Sequence, residues 1–471
     1  MSSTSTKNDQ YLNRISGITM LALLLLAAIF WRERSWFLDV AFQTFLMIKD
    51  GTVQVQVYRF GSAIVQVLPL AGIKLGLPLS WISFLYSISF PLVYLVFWWL
   101  IVKVFQQPLM GIALALLYVA MTYDGFYWCT SELQQGLGFL LVIWAMILRF
   151  PNLNRGWHWV FLLFSLIALV FYHPLTFIPF FFCWAYFGWE NKALRHPRYL
   201  YLAVILVLVL WAKSHWAANW YDNAKMATFD KNVHEFFPDY FSFPAYAKFV
   251  KNSLFYWWGL PVLGLSVGGY LLSIRKYFLV FMIVGASAGF VVLNAIGSPE
   301  AIYRFYSEVN YYPLVIFVGI PFCYSLLKDW SDKQWVWLVL GVFIGLRLLL
   351  IGSHHQPYTD RIEYLTQLTN ETHQQHGGQR FITAEQNVAM DTLIMTWATP
   401  FESMLITASE HPDSVVTFLI HPNPDRFTEE MRKDVSLLLQ DFNNFKMKEL
   451  QQRGYFKFTD GNYIELTPQE R

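Results

Sequence analysis

Arg32-Glu33-Arg34-Ser35-Trp36-Phe37-Leu38-Asp39-Val40-Ala41-Phe42-Gln43 opens a stretch that runs to Pro78 and separates a first apolar segment, Ile15–Trp31, from a second, Leu79–Phe105. Roughly forty-five residues is long for a connection between membrane spans, where short loops prevail. Much of the stretch is apolar, so it is expected to lie along a bilayer surface rather than hang in water. Asp39 sits within it among aromatic and aliphatic neighbours. Burial disfavours the charged form of an acid that lacks a partner, and ionisable groups at such depth mark functional sites.

Working outward, the chain is 56% hydrophobic and 14% charged, against ~25% charged in soluble domains. Its apolar residues come in long runs, and a span needs ~20 of them. The runs are Ile15–Trp31, Leu79–Phe105, Leu109–Thr122, Leu133–Leu148, Trp157–Tyr172, Leu175–Trp189, Tyr199–Ala212, Leu254–Ile274, Tyr277–Ile296, Tyr312–Leu327 and Trp335–Ile351. The expected fold is therefore an α-helical polytopic membrane protein with about eleven transmembrane helices. The first run has no small-residue cleavage site and reads as a retained span. A net charge of +2 says nothing by itself about a nucleic-acid partner, but no basic stripe appears and none is expected. Cys129, Cys183 and Cys323 are odd in number and far apart, so neither a disulfide framework nor a metal spacing is expected.

Basic residues in short loops set the orientation. With the N-terminus cytoplasmic, Lys7, Arg14, Lys103, Arg149, Arg155, Arg275, Lys276, Lys328 and Lys333 fall inside, while the hairpins around Asp124–Glu132 and His173-Pro174 carry no Lys or Arg. The expected protein is an integral multi-pass protein of the cytoplasmic membrane. Its membrane part covers residues 1–353, including the outer loop 32–78, and residues 354–471 form a small extracytoplasmic α/β domain. In that tail Tyr358–Gln375 reads as a helix, Arg380–Ala384 and Val415–Ile420 as strands and Glu429–Gln452 as a charged helix. Tyr455–Phe458 and Asn462–Leu466 flank Thr459-Asp460-Gly461 as a hairpin.

Nearly every residue with chemical potential falls on the outer side. Asp39 is a candidate base or metal ligand, or a helix cap, or a partner of Arg32 or Arg34. Asp124 stands in a turn-like Asp-Gly, and Glu132 opens a helix where a carboxylate meets the dipole favourably. His173, before Pro174, could exchange protons, bind phosphate or satisfy a helix end. Arg304, in Tyr303-Arg304-Phe305-Tyr306 ahead of Tyr312-Pro313, offers a planar fork suited to phosphate, or a structural pair with Glu300 or Glu308. Arg59, in Tyr58-Arg59-Phe60, has the same dual character.

This layout resembles the GT-C superfamily of integral membrane glycosyltransferases. An acid follows span one, a second acid opens span four, a His-Pro corner comes next, then an outer Arg-aromatic turn and an outer C-terminal domain. The acidic pair common in that superfamily is incomplete here, because Val40 follows Asp39. The resemblance implies a polyprenyl-phosphate-linked sugar donor, Asp39 as the acceptor-activating base, Glu132 or Asp124 as the second acid, and Arg304 as a ligand of the donor phosphate. Arg59, His173, Glu308 and Tyr312 complete the candidate substrate-binding set. No cofactor is demanded; a divalent cation, Mg or Mn, is the candidate. The expected partners are the lipid-linked sugar, membrane lipid and an extracytoplasmic acceptor that is a glycan, a lipid or a protein. A lipid-linked glycan polymerase or ligase, a lipid or sugar transporter, and a non-catalytic assembly subunit are the alternatives.

Overall fold

The computed structural model describes residues 7–466 apart from 378, 412, 414, 434–435, 441–444, 447–449, 451–453 and 459–460. Every apolar run forms a helix, because a chain in hydrocarbon must satisfy its own backbone groups. In order they are α1 (Lys7–Ile29), α2 (Trp31–Ser35), α3 (Leu38–Asp50), α4 (Val67–Lys74), α5 (Leu79–Trp99), α6 (Pro108–Val119), α7 (Glu132–Arg149), α8 (Gly156–Tyr172), α9 (Phe177–Glu190) and α10 (Pro197–Trp216). There follow α11 (Trp220–Glu235), α12 (Pro244–Phe255), α13 (Gly259–Ser273), α14 (Tyr277–Gly297), α15 (Arg304–Tyr311), α16 (Pro313–Pro321), α17 (Lys328–Trp330) and α18 (Gln334–Ser353). Proline opens α6, α10, α12 and α16, where its missing N–H costs nothing.

Among the described residues seven stretches are long and apolar enough to cross a membrane, or eight if the bent pair α12–α13 is one span: α1, α5 with its π-helical extension, α7, α10, α14, α16–α17, and α18 with the helix after it make the seven. Four of the eleven expected spans do not reach that length as single helices. The run 254–274 is split into α12 and α13, which meet at 85°. The runs at α6, α8 and α9 give helices of 12, 17 and 14 residues. At ~1.5 Å per residue the shortest covers ~18 Å of a ~30 Å hydrocarbon core. Hydropathy registers apolar length but does not show where a helix stops.

The long first connection is helical as well. It folds into α2, α3, a 3₁₀ segment (Phe60–Gln66) and α4, packed against α5. Gly51 ends α3 in the left-handed conformation (φ 67°), which only glycine adopts freely.

Beyond α18 a two-residue break at His354 and His355 leads straight into α19 (Gln356–His376). The strand β1 (Arg380–Ala384) is followed by α20 (Met390–Leu393), α21 (Thr399–Glu410) and β2 (Thr417–His421). β1 and β2 pair in parallel, with Arg380 opposite Thr417 and Ala384 opposite His421. A parallel pair needs a crossover, which is supplied by α21, a helix not among those expected from the sequence. Glu429–Gln452 is not one charged helix. α22 (Glu429–Lys433) ends after five residues, and β3 (Ser436–Leu437) then pairs antiparallel with β4 (Phe445–Lys446). The expected hairpin is also corrected: β5 (Ile464–Glu465) pairs in parallel with β1, giving the sheet order β2-β1-β5. Two of its turn residues, 459 and 460, lie outside the described residues. The tail shares one apolar core with the bundle, as Phe42 and Phe45 of α3 pack on Phe401 of α21.

Candidate functional site

Residues distant in sequence and assigned to one side by the loop charges do converge at one end of the bundle, in two groups. The first is built on Asp39, in the opening turn of α3. Its Oδ2 accepts a hydrogen bond from Trp128 Nε1 at 2.7 Å. Burial raises the Asp39 carboxyl to about 6 and the Glu132 charge adds to this, against the pull of the Trp128 N–H. Glu132 opens α7, and its Oε2 accepts from Arg59 Nη1 at 3.2 Å. Arg59 Nη2 reaches Asp222 of α11 at 3.3 Å, and Lys213 stands 3.6 Å from the other Asp222 oxygen. Asn219 ties this group together by donating to both Asp222 Oδ2 and the Val57 carbonyl. His173 lies close by. Burial, then the charges of Arg59 and Lys213, hold its pKa well below the ordinary value, so it is a neutral imidazole. Its Nδ1 accepts from Leu175 N at 3.2 Å and caps the following turn.

The second group is built on Asp124. It accepts from Arg304 through Nε and through Nη2 at 2.9 Å, from His354 Nε2 at 2.7 Å and from Tyr358 OH at 3.1 Å. Burial alone would push the Asp124 carboxyl up, but these donors outweigh it and leave the pKa at about 2. The Arg304 guanidinium lies 4.0 Å from the Tyr256 ring centroid, over its face. Glu308, one turn along α15, accepts from the backbone N–H groups of Tyr123, Asp124 and Gly125 at 2.8–2.9 Å, and from Trp257 Nε1 and Tyr312 OH. Burial, then the Asp124 charge, raises Glu308 to about 7 against the pull of those amides. Gly125 has to be glycine: a Cβ there would stand 2.2 Å from Tyr312 OH.

The two groups touch but do not merge. Phe305 packs on Phe37 and Trp128, and Tyr306 on Trp128, so the residues that follow Arg304 in α15 form an aromatic partition beside Asp39. Arg304 therefore faces Asp124, and neither Asp39 nor the anticipated Glu300 or Glu308 is its ion-pair partner. Arg59 is the guanidinium that reaches the acids of the first group. Glu308 and Tyr312, placed among the substrate-binding candidates, hold the 123–125 turn together.

Sequence reasoning missed Trp128, Lys213, Asp222, His354 and Tyr358. Asp222 and Lys213 flank the end of a span, and the His354-His355 pair immediately follows one, which are positions where a polar residue warrants attention. Trp128 carried no signal among so many aromatics. Among the described residues no group of three His, Cys, Asp or Glu is placed to hold a metal ion, and one oxygen each of Asp39 and Glu132 faces an indole N–H and a guanidinium. What the first group can do is take up a proton at Asp39 as pH falls through about 6, while the Arg59 guanidinium of the same group is held by Glu132 and Asp222.

Fold and composition define an integral helical membrane protein. No family model, curated protein or solved structure matches the chain.

Proposed function

We propose that this protein is a membrane glycosyltransferase that moves a sugar from a polyprenyl-phosphate donor to an acceptor on the non-cytoplasmic side. The supporting observation is Asp39, a carboxyl with a pKa of about 6 that is held by Trp128 within reach of the field of Glu132. In this reading Asp39 takes the proton from the acceptor hydroxyl, and the hydroxyl oxygen attacks the anomeric carbon from the face opposite the phosphate. The C–O bond to the lipid phosphate breaks, the phosphate leaves with the bonding pair, and the anomeric centre inverts. Arg59, the cation nearest the acids, stabilises the departing phosphate, a role first considered for Arg304. The short helices α6, α8 and α9 complete about eleven passes with help from flanking segments, the N-terminus is cytoplasmic, and the tail from His354 lies outside.

A donor dissolved in the bilayer presents its phosphate at the interface, so no nucleotide-cradling loop is required. Purified protein is expected to transfer from a polyprenyl-phosphate sugar and not from a nucleotide sugar. Transfer from the nucleotide sugar alone would overturn this reading. Full cellular function of Asp39→Asn would favour the non-catalytic assembly subunit instead.

A further inference from the structure

Arg34 is only 2% exposed, and none of its contacts is an acid. Its Nε donates to Ser87 Oγ at 3.0 Å, Nη2 to the Ser87 carbonyl at 3.3 Å, and Nη1 to the Phe126 carbonyl. The other deeply buried guanidiniums are matched. Arg361 pairs with Glu402, while Arg347 meets the Val119 and Thr122 carbonyls at the negative end of α6 and the Tyr256 carbonyl. A buried cation left with neutral partners is costly, so Arg34 calls for a counter-charge. Among the described residues no carboxylate lies within ion-pair distance of it.

Beside Arg34 is an internal cavity of about 20 Å³, also lined by Tyr94, Tyr118, Thr122 and Gln134. A cavity needs ~10–15 Å³ to hold one water-sized body, so there is room for an atom-sized guest. The Tyr118 hydroxyl is 1% exposed and has no hydrogen-bond partner. A guanidinium without an acid partner and a tyrosine whose hydroxyl has no acceptor both line this one cavity, and both are donors that an anion would take. We propose that this cavity binds a single monatomic anion of the halide class, which is chloride in ordinary buffers. A water would serve the hydroxyl but leave the charge of Arg34 unmatched, and a carboxylate or phosphate is too large. Gly125, Phe126 and Cys129 also wall the cavity, so the anion would brace the hairpin from which Asp124 and Trp128 project.

The test uses the purified full chain in detergent, exchanged into sodium gluconate and titrated with chloride or bromide at constant ionic strength. The expected result is a saturable rise in the thermal midpoint with either halide. Removing one donor to an ion should weaken half-saturation by about tenfold or more in Tyr118→Phe, with its midpoint in gluconate near that of the parent. Arg34→Gln should abolish the halide response; if it does not fold, Tyr118→Phe and Thr122→Val carry the test. Crystals grown in bromide should show an anomalous peak beside Arg34. The same midpoint in gluconate and chloride, an unaltered halide response in Tyr118→Phe, or only water beside Arg34 in the bromide crystals would overturn the proposal.

Discussion

Asp39 carries its ionisation at a cost, and that cost separates a functional from a structural role. Its folded pKa, about 6, lies above the unfolded value of 3.8. A carboxyl of this kind binds its proton more tightly when folded. Its stabilising contribution is therefore complete below about pH 4 and is lost as pH rises through about 6. The rise from 3.8 to about 6 corresponds to ~3 kcal/mol at most. Asp39→Asn keeps an acceptor for Trp128 and removes the charge, so it should unfold no earlier than the parent at pH 8, and later if the full cost applies. Below pH 4 the difference should vanish. The same variant should lose sugar transfer, while the parent's activity should fall as pH drops through about 6. A destabilised Asp39→Asn at pH 8 would mark the carboxylate as a structural partner. Arg304 should behave in the opposite way. Because it closes the Asp124 group and its side chain is 30% exposed, Arg304→Gln should lower stability by on the order of 2 kcal/mol, less than for a fully buried pair. Preserved stability with weakened donor binding would restore the phosphate role first considered for it.

At the scale of elements, α21 of the tail holds the start of α3. Leu38 has φ 40°, a conformation that disfavours any side chain, and its N–H donates to Glu402 Oε1 at 2.7 Å. Glu402 is fully buried and is gripped by Arg361 through Nε at 3.1 Å and Nη2 at 2.6 Å. Asp39 is the next residue after Leu38, so the tail sets the entry of the helix that carries the proposed base. Glu402→Ala should cost ~3–5 kcal/mol, because Arg361 is left buried and unpaired. Replacing both partners together, Arg361→Met with Glu402→Leu, should recover most of that loss and leave the ~1–3 kcal/mol cost of the orphaned Leu38 N–H. Chemical denaturation of the three variants measures the difference. Equal loss in the single and double variants would show that the charges do not compensate each other.

For the whole molecule, the loop groups lie a full span away from Lys276. α14 starts at Tyr277, next to Lys276, and its 21 residues lead to the turn before Arg304; at ~1.5 Å per residue that is ~31 Å. With the native cysteines buried, an impermeant thiol reagent added outside should label His373→Cys and spare Lys276→Cys. Labelling only the latter would invert the orientation and move the proposed site to the cytoplasmic face. What the sequence alone determined is the membrane class, the helical nature of every apolar run, α19, β1 and β2 in outline, and the candidate status of Asp39, Glu132, Asp124, Arg59 and Arg304. These were legible because apolar run length and isolated charges are local properties of the chain. Only the tertiary structure decided that Arg304 turns to Asp124 while Arg59 reaches Glu132, that Glu308 and Tyr312 brace a turn, and that Glu402 anchors α3. A charge in an apolar setting must find a partner, but which partner it finds depends on how helices far apart in sequence pack, and that information is held in no local segment.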